Sequence, residues 1–120
     1  MKLKVKCEVK PTEDRKKVVE AIQNVFPDIK LEGQDNLKGE TDKLSTFQEI
    51  IEKSKIRNTV ESVLRENFDG NKTFLEISKQ AAFMGKVRIA ERHPLGTIKL
   101  IFECEENEIA GIVWGSENEE

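Results

Sequence analysis

The chain opens with a strict alternation of apolar and polar residues. Odd-numbered positions over residues 3–9 are apolar, and the positions between them carry lysines and one glutamate. Because successive side chains of a strand point to opposite faces, this period of two predicts a strand with one buried and one solvated face. Pro11 ends the strand, Thr12 is the predicted N-cap, and apolar residues at helical spacing over 18–26 predict the first helix.

Two short strands and two helices are predicted next. Residues 29–32 and 37–41 flank Gln34-Asp35-Asn36, and this segment predicts a hairpin because Asp and Asn favour turn conformations. The sequence Ser45-Thr46-Phe47-Gln48 fits a capping box, which predicts that a helix begins there. A second helical pattern over 56–64 is predicted to end near Phe68-Asp69-Gly70, since glycine accepts the left-handed conformation that often follows a helix.

Residues 71–103 are predicted to organise the sheet. Three apolar rows in this segment each predict a strand: Leu75 with Ile77, Val87 with Ile89, and Ile98 with Leu100, Phe102 and Cys104. An Ala-Gly connection and a His-Pro-Leu-Gly turn join them. Beyond them, apolar residues over 109–113 predict a short final helix, and residues 115–120 are predicted to be an acidic tail.

The predicted element order is β-α-β-β-α-α-β-β-β-α. Strands separated by helices, with clean alternation in the long strands, predict an α+β fold in which helices pack on one face of a mainly antiparallel sheet. The length of 120 residues fits one domain, which we place at residues 1–114, and no internal repeat or linker divides it.

Composition indicates the temperature and the cellular compartment in which the protein works. Charged residues make up 36% of the chain, and lysine and glutamate dominate them. This bias is typical of proteins that work at high temperature, so a thermophilic source is expected. The sequence has no apolar run of membrane-spanning length, and its alternating start does not match a secretory signal, so we expect a cytoplasmic protein without membrane contact.

Cys7 and Cys104 are the two cysteines. Neither lies in a CxxC pair or near the single histidine in sequence, so neither a metal site nor a cofactor is predicted. We expect both to be small core residues with free thiols, because a reducing cytosol disfavours disulfides. A disulfide between them is possible only if the first and last strands are neighbours.

Positive charge is concentrated between residues 79 and 99, although the chain has a net charge of −3. The outer faces of the strands there are predicted to carry Lys79, Arg88, Arg92 and Lys99, and Glu91 is the single acid in the segment. If the first strand lies beside these strands, its lysines join the same face. A basic sheet face can neutralise the phosphates of nucleic acid, and the alternative is an ordinary solvated face of a lysine-rich protein.

Few aromatic side chains are expected near this basic patch on which nucleic-acid bases could stack. The chain has no tyrosine, and Phe74, Phe83, Phe102 and Trp114 fit core or turn positions. A sheet that stacks bases is therefore not expected, and recognition of structured RNA by shape and backbone is the better hypothesis.

The segment LEISKQAAFMGKVRIAERHPLGTIKLIF, with its KQAA, GKV and HPLG blocks, resembles archaeal uncharacterised protein family 0201, which is grouped with RNA-binding proteins. The resemblance extends over nearly the whole chain, including LKGETDKLSTFQEIIEKSKIRNTVESVL. It implies RNA binding and a fold similar to the large-subunit ribosomal protein that binds the small ribosomal RNA, an α+β sandwich likened to double-stranded-RNA-binding domains. The acidic tail and the pI of about 5.4 depart from the pattern of a general nucleic-acid binder.

Three classes of function remain. The first is an RNA-binding module whose predicted contact residues are Lys79, Gln80, Lys86, Arg88, Arg92, His93 and Lys99, joined by Lys2, Lys4 and Lys6 if the first strand is adjacent. The second is a protein-interaction or assembly subunit, a homodimer included, that uses a sheet edge or the apolar side of residues 109–114. The third is an enzyme with a small-molecule substrate.

The enzyme hypothesis has the least support. General base catalysis by His93 requires a nucleophile or an orienting carboxylate, and no residue at a suitable spacing supplies one. The His-Pro-Leu-Gly motif is better explained as a turn, because Pro94 fixes φ and Gly96 permits a tight bend. We therefore expect a protein without catalytic activity.

Overall fold

The computed structural model describes residues 2–90 and 96–115. In these residues five strands form one sheet: β1 (Lys2–Glu8), β2 (Lys30–Glu32), β3 (Asn36–Thr41), β4 (Lys72–Ser78) and β5 (Thr97–Glu103). The helices of the same residues are α1 (Arg15–Val25), α2 (Ser45–Lys53), α3 (Arg57–Asn67), α4 (Lys79–Phe83) and α5 (Ile109–Trp114), with a 3-10 turn at Glu106–Glu108. The predicted α+β class is confirmed.

The strands lie in the order β2-β3-β1-β5-β4, and each neighbouring pair is antiparallel. In the centre of the sheet, Val5 of β1 lies opposite Gly39 of β3 on one side and opposite Leu100 of β5 on the other. Gly39 allows β2 to approach closely, because a Cβ at this position would lie 2.6 Å from the carbonyl oxygen of Lys30. Strand β1 therefore lies beside β5, which was the condition for the lysines of β1 to share a face with the basic residues of β5.

One face of the sheet and the apolar sides of the helices form the core. The predicted alternation is confirmed in β1, where Val5 is fully buried and Lys6 is exposed. Three phenylalanines connect the layers: the ring centroids of Phe26 and Phe47 are 5.6 Å apart, and those of Phe47 and Phe102 are 6.4 Å apart. Burial of each such side chain contributes about 2–3 kcal/mol to stability, so this face of the sheet serves to hold the fold together.

Two predicted capping residues are wrong. The N-cap of α1 is Asp14 rather than Thr12, and the Asp14 carboxylate accepts a hydrogen bond of 3.0 Å from the backbone N–H of Lys16. Helix α3 ends at Asn67 with Phe68 as its C-cap, so its predicted end near Phe68-Asp69-Gly70 is confirmed, but the expected role of Gly70 at that end is wrong. Gly70 does take a left-handed conformation, with φ of 70°, but it lies in the turn that enters β4.

The predicted capping box at the start of α2 is also wrong. Helix α2 follows Leu44, and no side chain caps its first turn. Gln48, the expected partner of Ser45 in the box, instead donates hydrogen bonds of 3.1 Å to the carbonyl oxygens of Gly111 and Ile112. The side-chain amide of Gln48 therefore connects α2 to α5 and is not used to cap α2.

The predicted strand containing Val87 and Ile89 is wrong. Ile89 forms an isolated bridge to Ile77, and the chain between β4 and this bridge contains α4 and a turn. Helix α4 forms because the Ser78 hydroxyl accepts a hydrogen bond of 3.1 Å from the N–H of Ala81 and because alanine strongly favours helix. Val87 is buried in the core, so the apolar pair reflects packing rather than strand pairing.

Helix α5 ends at Trp114, and Gly115, which was predicted to belong to the acidic tail, follows it as the C-cap. Gly115 is buried, has φ of 86°, and donates a hydrogen bond of 3.0 Å to the carbonyl oxygen of Gly111. The remaining residues of the predicted tail, 116–120, lie outside the described residues, as do residues 91–95 with most of the His-Pro-Leu-Gly motif. None of the helices in the described part of the chain is long and apolar enough to cross a membrane.

Cys7 and Cys104 are both buried free thiols, as predicted. The register explains why the two do not meet although β1 and β5 are neighbours. Cys7 lies opposite Ile98, near the start of β5, whereas Cys104 follows the last residue of that strand, at the far end of β1. A disulfide between them is excluded by this separation.

Candidate nucleic-acid interface

The face of the sheet opposite the core is lined mainly by lysine and glutamate, and we call it the open face. Its outward positions are Lys30 and Glu32 of β2, Lys38 and Glu40 of β3, Lys2, Lys4, Lys6 and Glu8 of β1, Lys99, Ile101 and Glu103 of β5, and Lys72, Phe74 and Glu76 of β4. Lysines outnumber glutamates here, so the open face is locally positive within a chain of net charge −3.

Three lysines lie in register across the open face. Lys6 of β1 lies opposite Lys38 of β3 on one side and opposite Lys99 of β5 on the other. Neighbouring strands are about 4.8 Å apart, so these residues, which we call the lysine row, span about 10 Å. Glu32 of β2 and Glu76 of β4 occupy the next positions beyond its two ends.

Ion pairs neutralise the adjacent part of the open face but not the lysine row. Lys4 Nζ lies 2.9 Å from Glu103 Oε2, and Lys2 Nζ lies 3.4 Å from Glu40 Oε1. The hydrogen bond between Lys4 and Glu103 raises the pKa of the lysine and lowers the pKa of the carboxyl group. Among the described residues, no carboxylate lies within 4.0 Å of an ammonium group of the lysine row, although Glu32 and Glu76 lie opposite its two ends.

The lysine row also borders a cleft of about 360 Å³ at one end of the sheet. Lys10 and Asn36 line the same cleft, and Lys10 Nζ is 3.8 Å from Glu8 Oε1, a loose ion pair. Ammonium groups outnumber carboxylates around this space. The cleft can therefore accept an anion of phosphate size through charge-assisted hydrogen bonds.

Lys79 is buried, and the prediction that places it on a solvent face is wrong. Its side chain is 3% exposed, and its Nζ donates hydrogen bonds of 2.8 Å to the Glu8 carbonyl oxygen and 3.0 Å to Glu13 Oε1. Burial tends to raise the pKa of Glu13, but hydrogen bonds from the Lys10 N–H and from Lys79 outweigh it and lower that pKa. The ammonium group of Lys79 is thus engaged in joining α4 to β1 and to the segment before α1.

The other predicted contact residues are only partly brought together. Gln80 and Arg88 are exposed and line a second cleft, of about 730 Å³, beside α4. Lys86 is exposed but lines neither cleft. Arg92 and His93 lie outside the described residues. Their roles in RNA binding stay predictions.

Lys38 and Phe74 of the open face were missing from the predicted contact set. Lys38 enters the lysine row only because β3 pairs with β1, and the available signal was the alternation over residues 36–41. Phe74, predicted to fit a core or turn position, points outward from β4 and is 38% exposed. It lies opposite Ile101 of β5, and Lys99 Nζ is 5.1 Å from its ring centroid.

The final helix does not offer its apolar side to a partner, so the contact surface predicted there is wrong. Ile109, Ile112 and Val113 are fully buried in the core. Trp114 is 39% exposed, but its indole N–H donates a hydrogen bond of 2.9 Å to Glu61 Oε1 on α3. Helix α5 is therefore an integral part of the helical layer.

Groups suited to metal binding or nucleophilic chemistry are not assembled in the described part of the chain. Histidine, cysteine, aspartate and glutamate form no cluster of three or more that could hold a metal ion in residues 2–90 and 96–115. Burial raises the pKa of Cys7, so its thiol is protonated at neutral pH and is a poor nucleophile. The chemical property that the open face has is its excess of positive charge, which suits the binding of a polyanion.

Related sequences agree with the sequence resemblance. A family model described as RNA binding matches residues 2–104, from β1 to the end of β5. A UPF0201 protein of Methanothermobacter thermautotrophicus is 36% identical over 115 residues, which cover 93% of this chain and 87% of that protein. A UPF0201 protein of Thermococcus onnurineus is 33% identical over 112 residues, which cover 87% of this chain and 83% of that protein.

Solved structures share the fold. The crystal structure of the UPF0201 protein from Methanococcus jannaschii has a TM-score of 0.84 at 28% identity and covers 97% of this chain and 94% of that one. Another UPF0201 crystal structure, at 22% identity, has a TM-score of 0.87 with the same coverage. The similarity to a ribosomal protein stays a prediction. The chain belongs to the UPF0201 family, as the KQAA, GKV and HPLG blocks predicted.

Proposed function

We propose that this protein is a non-catalytic module that binds structured RNA through the open face of its sheet, with the lysine row contacting phosphates. The description of the matching family model, RNA binding, supports this class of ligand. The observation that carries the proposal is the register of Lys38, Lys6 and Lys99, which holds three like charges side by side.

A row of like charges is unfavourable for the fold alone. Like charges directly opposite on antiparallel strands are destabilising, whereas opposite charges contribute about 0.2–1 kcal/mol per pair. The repulsive pairs are those of Lys6 with Lys38 and with Lys99, since the two outer lysines each face a glutamate, Glu32 or Glu76, on the other side. The same sheet uses the favourable arrangement nearby, where Lys4 lies opposite Glu40 and Lys2 opposite Glu103. An anion bound over the lysine row replaces repulsion with attraction, so the row fits phosphate binding better than a structural role.

The dimensions of the lysine row limit its footprint. A strip about 10 Å long accommodates about two or three phosphates. Glu32 and Glu76 lie at its ends and repel further phosphates, which confines contact to the strip. A local site of this kind is compatible with the net charge of −3, because screening at physiological salt limits the reach of distant acids to about 8 Å.

The surroundings of the lysine row favour recognition of the RNA backbone. Asn36 lines the same cleft and supplies a neutral amide, which can both donate a hydrogen bond to a 2′-hydroxyl and accept one from it. Lysine ammonium groups act as point charges without the fork geometry that arginine uses to read bases. Recognition of backbone shape follows from these donors.

The test compares two triple variants in which three lysines become glutamine. One replaces the lysine row, as Lys6→Gln, Lys38→Gln and Lys99→Gln, and the control replaces exposed lysines of the helices, as Lys16→Gln, Lys17→Gln and Lys53→Gln. Binding of a fluorescently labelled RNA hairpin is measured by anisotropy at several salt concentrations. Both variants have the same net charge, so any difference between them reports position.

We expect the lysine-row variant to weaken binding and to reduce the magnitude of the salt slope, d log K/d log[salt], by about 2–3, because each phosphate contact contributes about 0.7–0.9. The control is expected to keep nearly the wild-type slope. Equal losses in the two variants would refute the proposal, since binding would then depend only on net charge. Absence of hairpin binding by the wild-type protein at low salt would refute it as well.

A further inference from the structure

Phe74 forms a small apolar platform next to the lysine row. Its side chain is 38% exposed on the outward face of β4, and Ile101 lies directly opposite it on β5. Asn67 donates a hydrogen bond of 3.0 Å to the Phe74 carbonyl oxygen, so the backbone that carries the ring is fixed against α3. The buried residues of β4, Thr73, Leu75 and Ile77, face the opposite way.

We propose that an unpaired base of the bound RNA stacks on the Phe74 ring while its flanking phosphate contacts Lys99. This inference rests on the proposed function and adds a base-binding subsite to it. It also revises the expectation, drawn from the scarcity of aromatic residues, that the sheet would not stack bases. One exposed aromatic ring beside a cationic strip is sufficient for one nucleotide.

The geometry places the ammonium group of Lys99 next to the Phe74 ring. Lys99 Nζ lies 5.1 Å from the Phe74 ring centroid, above the ring. Lys99 lies opposite Glu76, two residues along β4 from Phe74, so Phe74 is diagonal to the end of the lysine row. A base over the ring therefore has its phosphate within reach of an ammonium group.

The contact between Lys99 and the ring does not prevent stacking. A cation–π contact at an exposed site is weaker than the stacking of a base on an aromatic side chain. The four-carbon stem of lysine is flexible, so the ammonium group can move from the ring to a phosphate and exchange a weak contact for a charge-assisted hydrogen bond. Lys99 thus covers the ring in the free protein and releases it when RNA binds.

The size and surroundings of the platform favour a nucleotide over a protein partner. Phe74 and Ile101 together are far smaller than the roughly 800 Å² per partner of a stable protein interface. Lys72 and Glu76 flank Phe74 two residues away on either side along β4, and the ammonium group of Lys99 lies above the ring. A ligand that is flat and apolar at its centre and anionic at its border complements this arrangement, and a nucleotide has that chemistry.

The experiment measures the affinity of Phe74→Leu and Phe74→Tyr for two RNAs of the same sequence, one single-stranded and one fully paired in a duplex. A 2-aminopurine in the single strand reports stacking through the quenching of its fluorescence. Phe83→Leu is the matched control, because Phe83 is 43% exposed on α4, away from the open face. Circular dichroism verifies that each variant is folded.

We expect Phe74→Leu to raise the Kd for the single strand about fivefold or more and to abolish the quenching, with little change in the Kd for the duplex. Phe74→Tyr and Phe83→Leu are expected to retain wild-type behaviour. If the lysine-row variant weakens both RNAs while Phe74→Leu weakens neither, the stacking proposal is overturned and the proposed function stands. If the wild-type protein binds neither RNA, both are overturned.

Discussion

Lys6→Glu is expected to stabilise the folded protein while it weakens RNA binding. Lys6 lies between Lys38 and Lys99, so the substitution turns two repulsive cross-strand pairs into two attractive ones. Each favourable pair contributes about 0.2–1 kcal/mol, and solvent exposure reduces the sum to about 0.5–1 kcal/mol. In a domain of 120 residues this corresponds to a rise in Tm of about 2–4 °C.

Lys4→Glu is the matched control because Lys4 lies on the same strand, on the same face, two residues away. The two substitutions change the net charge equally. Lys4 is paired with Glu103 and lies opposite Glu40, so a carboxylate at its position faces two others. This variant is expected to be less stable than the wild-type protein.

Urea denaturation at low salt and at about 1 M salt measures both effects. At 1 M the Debye length is about 3 Å, so the gain from Lys6→Glu and the loss from Lys4→Glu should both shrink toward zero. RNA affinity should fall further for Lys6→Glu than for Lys4→Glu. Stability changes of the same sign in the two variants would refute the reasoning. The contribution of each charge to the free energy of unfolding would then not depend on its cross-strand neighbours.

Three further predictions concern Lys79, its partner Glu13 and the two cysteines. Lys79→Met should lower the free energy of unfolding by about 2–3 kcal/mol in urea denaturation, because it leaves the Glu8 carbonyl and the Glu13 carboxylate without their buried donor. A loss below about 0.5 kcal/mol would contradict this role. The pKa of Glu13 is lowered from its ordinary value of 4.5, so its stabilising contribution is present above pH 4.5 and is lost as the pH falls through its lower folded pKa. Glu13→Gln should therefore flatten the decline of stability below pH 4.5, and a parallel decline would count against the assignment. Burial raises the pKa of Cys7 and of Cys104, so native protein at pH 8 should react slowly with iodoacetamide and unfolded protein should take up two labels by mass spectrometry. Rapid labelling of native protein would contradict the burial of the two thiols.

Local patterns were sufficient to predict most of the fold. The alternation over residues 3–9 and over 98–104 places apolar side chains on one face, and the structure has β1 and β5 there with the same faces buried. A period of two is dictated by strand geometry and needs no knowledge of the neighbours. For the same reason the helical spacing over 18–26 correctly predicted α1.

The predicted strand over 87–89 shows where local patterns fail. Two apolar residues at alternate positions satisfy a strand, a turn or a helix end equally well, and only packing decides between them. Here the Ser78 cap begins α4, and that helix turns Lys79 toward the carbonyl oxygen of Glu8 at the end of β1. The sign of a charge can be read from the sequence, but the direction of its side chain depends on this local change of structure.

The candidate site depends on strand order, which a single sequence does not reveal. Lys6, Lys38 and Lys99 lie far apart along the chain and become neighbours because β1 pairs with both β3 and β5. Phe74 was misplaced although the alternation of β4 could have located it: Leu75 and Ile77 share the buried face, so Phe74 lies on the opposite face. Long-range pairing created the site from residues that seemed unrelated.

The central position of β1 has a consequence for synthesis. Its partner β5 is made only after β2, β3, the first helices and β4, so one edge of β1 stays unpaired while most of the chain emerges. An exposed edge with apolar residues at every second position is a template for aggregation, and interleaved charges act as gatekeepers against it. The lysines of β1 thus protect the nascent chain, a role that a carboxylate at position 6 would preserve and an alanine would not.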